Sequence, residues 1–164
     1  MNNKPVLDTT YMLLEKLAED FLASLEGIPE SDLNSWKPSA EQQGGGAMNT
    51  FAALAVHMVA AARWRIEEQT FDVPYPRDRD SEFTATASRV EIDELFGTML
   101  SEFRKLIASD RDVNLNSLPG RPREDNPDRT RLDWLLSAID HTALHLGHEQ
   151  IHRQLWVAER ANMP

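Results

Sequence analysis

The sequence predicts an all-α chain folded as a four-helix bundle. Three observations carry that prediction. Four segments repeat apolar residues at steps of 3 and 4, no segment alternates with period 2, and proline-containing stretches lie between the four segments.

The first segment covers about residues 8–27. Leu7, Tyr11, Leu14, Ala18, Phe21, Leu25 and Ile28 form one stripe, which Leu13 and Leu17 widen. Asp8 is the expected N-cap and Gly27 the expected stop. A loop with Pro29, Trp36, Pro38 and Gly44 to Gly46 follows. The second helix is expected from a cap at Asn49 to about Gln69, with Thr50, Leu54, His57, Ala61 and Trp64 on one face. Its alanines allow close approach of a neighbouring helix, or leave a cavity.

Residues 70–88 hold Pro74, Pro76 and the charged run from Arg77 to Asp80. A helix of ~20 residues is ~30 Å long, and a linker of this length can span it. That predicts an overhand crossover with helices two and three parallel. The third helix is expected over 90–109, on Ile92, Phe96, Met99, Phe103 and Leu106. After a loop containing Pro119, Gly120, Pro122 and Pro127, the fourth begins at Asp128 or Thr130 and runs to about Ala161. Its expected apolar face is Leu132, Leu135, Leu136, Ile139, Ala143 and Leu146.

A chain of 164 residues suits one domain over 1–164. Its net charge of −10, from 17 basic and 27 acidic residues, argues against a nucleic-acid partner and against an anionic membrane surface. No run of 18 apolar residues predicts a membrane span. The first residues lack the apolar core of a secretory leader, so a cytoplasmic location is expected. With no cysteine, disulfides, thiolate-held zinc and a cysteine nucleophile are excluded. Any thiol chemistry would need a thiol from outside the chain.

Four of the five histidines, His141, His145, His148 and His152, fall within twelve residues at spacings of 4, 3 and 4. On a helix they share an arc of about 60°. The fifth, His57, stands alone in the alanine-rich second helix. Neutral imidazole suits borderline metals, and three such ligands leave positions open for water or substrate. The spacing leaves three chelating pairs open: His141/His145, His145/His148 and His148/His152. The opposing reading is a satisfied core His57 and a polar helix face, but four imidazoles stacked near a core need something to organise them. Gly147, between two of these histidines, costs about 1 kcal/mol against alanine inside a helix. It makes room for a ligand or permits close helix packing.

A rival motif overlaps the stripe. His148-Glu149-Gln150-Ile151-His152 matches the H-E-x-x-H signature of zinc hydrolases, with Glu149 as general base. Only twelve residues follow His152, and the extended form of the motif is absent.

The segment from Asn49 to Trp64 and the segment His141-Thr-Ala-Leu-His-Leu-Gly-His148 resemble the two motif regions of the DinB/YfiT-like superfamily of metal-dependent four-helix proteins. The resemblance implies an up-down-down-up bundle. It assigns His57, His141 and His145 as ligands of a divalent transition metal, nickel or zinc. His148 stands where many members carry glutamine, as an additional ligand or a supporting residue. It also implies that some relatives act on small electrophiles with a low-molecular-weight thiol, as transferases or isomerases. Trp64, Arg63 and Arg153 are candidate pocket residues toward a small-molecule substrate. The competing expectation is a non-catalytic bundle that binds metal or forms a homodimer in a stress response.

Overall fold

A computed structural model of the protein describes residues 3–39, 48–109 and 111–161. Every regular element among them is helical: α1 (Lys4–Ser24), α2 (Glu30–Ser35), α3 (Phe51–Arg63), a π-helical continuation of α3 (Trp64–Thr70), α4 (Arg79–Glu82), α5 (Arg89–Ala108) and α6 (Arg131–Ala161). The triple glycine Gly44 to Gly46 of the first loop lies outside the described residues.

Capping chemistry explains most boundaries. α1 starts a turn before its expected cap, because Pro5 in the first turn has no N–H to satisfy. Asp8 therefore lies inside the helix, bonded to Lys4 Nζ at 2.9 Å. The residue after α1 that turns left-handed is Gly27, at φ 78°. α3 is capped by Thr50 rather than Asn49, with Thr50 Oγ1 accepting from Ala53 N at 3.2 Å. Ser88 and Glu91 form a reciprocal capping box on α5. Thr130 and Asp133 do the same at α6, through Thr130 N to Asp133 Oδ2 at 2.8 Å and Asp133 N to Thr130 Oγ1 at 3.2 Å. Two of the three stretches read as loop or linker contain a short helix. α2 carries Glu30 and Asp32 in its first turn, and Asp78 caps α4 by accepting from Asp80 N and Ser81 N.

α1 and α3 each pack between α5 and α6. Two apolar clusters fill the interior. One joins Phe21 of α1, Leu25 just after it, residues from Phe51 to Ala62 of α3, Ile92 and Phe96 of α5, and Leu146 of α6. The other joins Leu7, Tyr11 and Leu14 with Ile66, Phe71, Phe103, Leu135 and Ala138. Truncating a fully buried member such as Phe21 or Phe96 to alanine would cost about 3–5 kcal/mol. α3 is buried on nearly every side, since α2 and α4 cover what the long helices leave open. Its alanines sit in contact with neighbours, with Ala52, Ala55, Ala61 and Ala62 fully enclosed.

α6 departs most from expectation. Its buried residues are Trp134, Leu135, Ser137, Ala138, Thr142, Leu146, Glu149 and His152, while Leu136 and Ala143 of the expected apolar face are exposed. The buried arc is rotated by roughly 100° from the apolar one, toward the histidines. α6 thus turns polar side chains inward and leaves Leu136, Leu144 and Ile151 half exposed. Among the described residues no helix is long and apolar enough to cross a membrane.

Candidate metal centre

The middle of α3 and the middle of α6 meet at three imidazoles. His57 is buried, His141 and His145 are half-buried, and one ring nitrogen from each lies within 4.8 Å of the others. The His141 and His145 rings pack at 4.3 Å between centroids, with Nε2 to Nε2 at 3.2 Å. His57 approaches them at 5.2 and 4.8 Å between centroids. Two imidazole nitrogens each about 2.0–2.1 Å from one ion at a near-tetrahedral angle stand roughly 3.3 Å apart, which is the separation found for the α6 pair. The donor set therefore fits a divalent metal of the borderline class.

His57 is oriented from its far side. Its Nδ1 lies 2.8 Å from Glu82 Oε2, and the carboxylate is held in turn by Arg77 through Nε at 2.7 Å and Nη2 at 2.8 Å. An ionised Glu82 accepts from Nδ1–H, which leaves the Nε2 lone pair free to ligate. Phe83 stacks on the same ring at 4.7 Å. Glu82 and Arg77 belong to the crossover and its short helix. Nothing in the sequence sets Glu82 apart from the other glutamates among the 14 in the chain, so only the fold reveals it.

Electrostatics keep these rings neutral, the form that ligates. Burial lowers the His57 pKa, against the pull of Glu82. Burial, with Arg65 and the neighbouring rings, pushes His141 down to about 2. Burial, with His57, His148 and Arg65, pushes His145 down to about 4. His148 is exposed, with its Nδ1 at 3.4 Å from His145 Nδ1, and so it touches the site from outside. His141 Nδ1 is buried without a hydrogen-bond partner.

The fourth stripe histidine goes elsewhere. His152 lies about 16 Å along the axis from His141. There it meets Phe51 and Trp36, edge-on at 5.9 and 6.2 Å. Glu149 is fully buried, receives a 3.3 Å hydrogen bond from Ser24 Oγ on α1, and has its other carboxylate oxygen unpartnered. His148, Glu149 and His152 thus face solvent, α1 and α3 respectively. This overturns the zinc-hydrolase reading, because the three side chains do not converge and the expected base is sealed from water. Gly147 needs neither of the roles expected for it, since a Cβ there would meet nothing within 4 Å.

The candidate pocket residues separate as well. Trp64 packs edge-on against Trp134 at 5.3 Å, beside Arg77. Arg63 binds Glu67 Oε1 at 2.5 Å and lies over Tyr75. Arg153 is engaged at the end of α1, where its Nη1 donates to Ser24 O and to Glu26 O.

One further feature of the site is the π-helical segment. Thr70 Oγ1 donates to Arg65 O, five residues back, at 2.9 Å. The wider turns bury Trp64, Ile66, Glu67, Gln69 and Thr70 against α6. Such segments are concentrated at functional sites.

A crystal structure of a conserved protein from Enterococcus faecalis has the same fold, with a TM-score of 0.67 at 15% identity over 93% of this chain and 98% of that one. No curated protein matches the sequence. A profile of the DinB superfamily matches residues 13–149. With that match over most of its length, and with one histidine of α3 facing two of α6, the chain belongs to the DinB superfamily.

Proposed function

We propose that this protein is a divalent-metal enzyme in which His57, His141 and His145 hold nickel or zinc at the centre of the bundle. The observation that carries this reading is the outward tether of His57. A buried carboxylate 2.8 Å from Nδ1 prepares Nε2 as a ligand facing two neutral imidazoles. The bound ion would supply Lewis acidity and a lowered pKa for a coordinated water or an exogenous thiol. Glu82 holds the tautomer and orientation of His57. Arg77 holds the Glu82 carboxylate in place through Nε and Nη2. Phe83 and the burial of the site exclude water from the back of the ring.

The reaction is activation of an external low-molecular-weight thiol, or of water, toward a small electrophile. The absence of cysteine from the chain accords with an external thiol. The helix order is up-down-down-up. In support, one apolar cluster draws on the later halves of α1 and α6 and the earlier halves of α3 and α5, and the other cluster draws on the opposite halves.

Metal content tests the proposal first. Purified, tag-free protein is expected to hold close to one nickel or zinc per chain, and the His57→Ala/His145→Ala variant to hold none. Loaded protein is then assayed with monochlorobimane and small thiols. Equal metal binding by protein and variant overturns the site. Binding without turnover above that of free metal leaves a metal-binding module and overturns the enzyme.

A further inference from the structure

Around the imidazoles, an acidic protein gathers arginines. Arg65, Arg77 and Arg123 stand over the Trp64 ring at 5.9, 5.7 and 5.3 Å. Arg129 stands over Trp134 at 4.5 Å, and the two indoles meet edge-on at 5.3 Å. Four guanidiniums therefore share one pair of aromatic rings, in a chain whose net charge is −10.

Two of the four are neutralised. Arg77 grips Glu82 through Nε and Nη2, and Arg123 grips Asp125 through the same edge at 2.6 and 2.8 Å. The other two are not. Arg65 donates from Nη1 to Ala61 O at 2.9 Å, and neither it nor Arg129 forms an ion pair among the described residues. Asp140 acts on Arg65, and Arg129 on Asp133, only at longer range. Arg77, Arg129 and Arg123 together help lower Arg65 to about 10, after burial. Arg65 and Arg77 in turn act on His141. The arginine cluster and the histidine trio thus share one electrostatic field. Like charges collected at such a place cost stability unless an opposite charge joins them.

We propose that Arg65 and Arg129, beside the Trp64/Trp134 pair, bind the oxyanion group of the substrate, a small molecule carrying a carboxylate or a phosphate. The proposal rests on the metal-centre reading, for it places the other end of that molecule at His57, His141 and His145. Guanidinium is the side chain suited to this task, since its planar fork matches both oxyanions and keeps its charge when partly buried. Net negative charge over the rest of the surface repels anions elsewhere and leaves this cluster as the attractive point.

Calorimetric titration at low ionic strength, of metal-free and of zinc-loaded protein, tests it with succinate, inorganic phosphate and the cationic control putrescine. Saturable binding of one anion per chain is expected, with putrescine inert. Arg65→Gln/Arg129→Gln should weaken anion binding at least about tenfold. Arg129→Gln alone, at a half-exposed position, should weaken it in the same direction. Arg104→Gln, which removes an arginine over Tyr11 on another face, should leave it unchanged. Tighter succinate than phosphate assigns a carboxylate substrate, and the reverse assigns a phosphate ester. Absence of anion binding, or equal binding by the Arg65/Arg129 variant, overturns the proposal. Zinc content is read in parallel: zinc retained without anion binding sinks this inference alone, and anion binding without zinc sinks the metal centre alone.

Discussion

His57 Nδ1 lies 2.8 Å from Glu82 Oε2, and both side chains are buried. A residue of the crossover thereby sets which nitrogen of a core histidine faces the other two imidazoles. Removing such an outer partner typically weakens metal binding 10- to 100-fold. Glu82→Ala should show a loss in that range by chelator competition, and Glu82→Gln, which keeps an acceptor oxygen, a smaller one. Unchanged zinc affinity in Glu82→Ala would remove Glu82 from the site.

His148 and His145 differ in consequence although they are three residues apart. His148→Ala should retain one metal per chain, with affinity within about tenfold of the parent, because its ring supports His145 from the solvent side. His145→Ala should lose stoichiometric metal. Elemental analysis of the two variants after dialysis separates these outcomes, and the opposite ranking would move the ligand pair along the helix.

Glu149 should make the protein less stable as pH rises. Burial pushes its carboxyl up to about 8 from an ordinary value of 4.5. The folded chain keeps a proton that the unfolded chain has lost, so this contribution is full below about pH 4.5 and is lost as pH rises through 8. Glu149→Gln removes the titration. In urea unfolding it should gain about 1–3 kcal/mol over the parent at pH 8, and the gain should shrink toward zero at pH 5. A difference that stays flat across that range refutes the buried acid.

His152 acts with the opposite sign. Burial lowers its ring to about 4, so the unfolded chain takes up a proton first as pH falls below 6.5. Its stabilisation is present above pH 6.5 and is lost between 6.5 and 4. Replacing it in His152→Leu should flatten the acid limb of the stability curve by up to ~1.4 kcal/mol per pH unit. Parallel acid limbs for the two proteins would mean that the ring is accessible to protons in the fold.

Arg153→Ala should cost about 1.5–3 kcal/mol of stability, since a charged donor to Ser24 O, the last carbonyl of α1, and to Glu26 O beyond it is lost. Zinc stoichiometry should not change. Any loss of metal or of anion binding in this variant would return Arg153 to the pocket.

The four long helices were legible because their periodicity depends only on local geometry. Leu7, Tyr11, Leu14, Ala18, Phe21 and Leu25 are all buried, as the spacing requires. Spacing left three histidine pairs of the fourth helix open as partners of His57, and only the family resemblance singled out His141 and His145. Legibility failed where local apolarity and tertiary burial disagree. α6 buries Thr142, Glu149 and His152 and exposes Leu136 and Ala143 of its expected apolar face, so its buried arc is not its most apolar one. Glu82 and Arg77 were hidden for a related reason, as charged residues in a loop look solvated until the fold covers them.

The sequence by itself determined where the four long helices run and that four histidines share one angle on the last of them, because each depends on spacing along a single helix. Only the tertiary structure decided which imidazoles meet. Residues at one angle on α6 lie at different heights, and each height faces a different neighbour: His57 opposite His141 and His145, Ser24 beside Glu149, and Phe51 against His152.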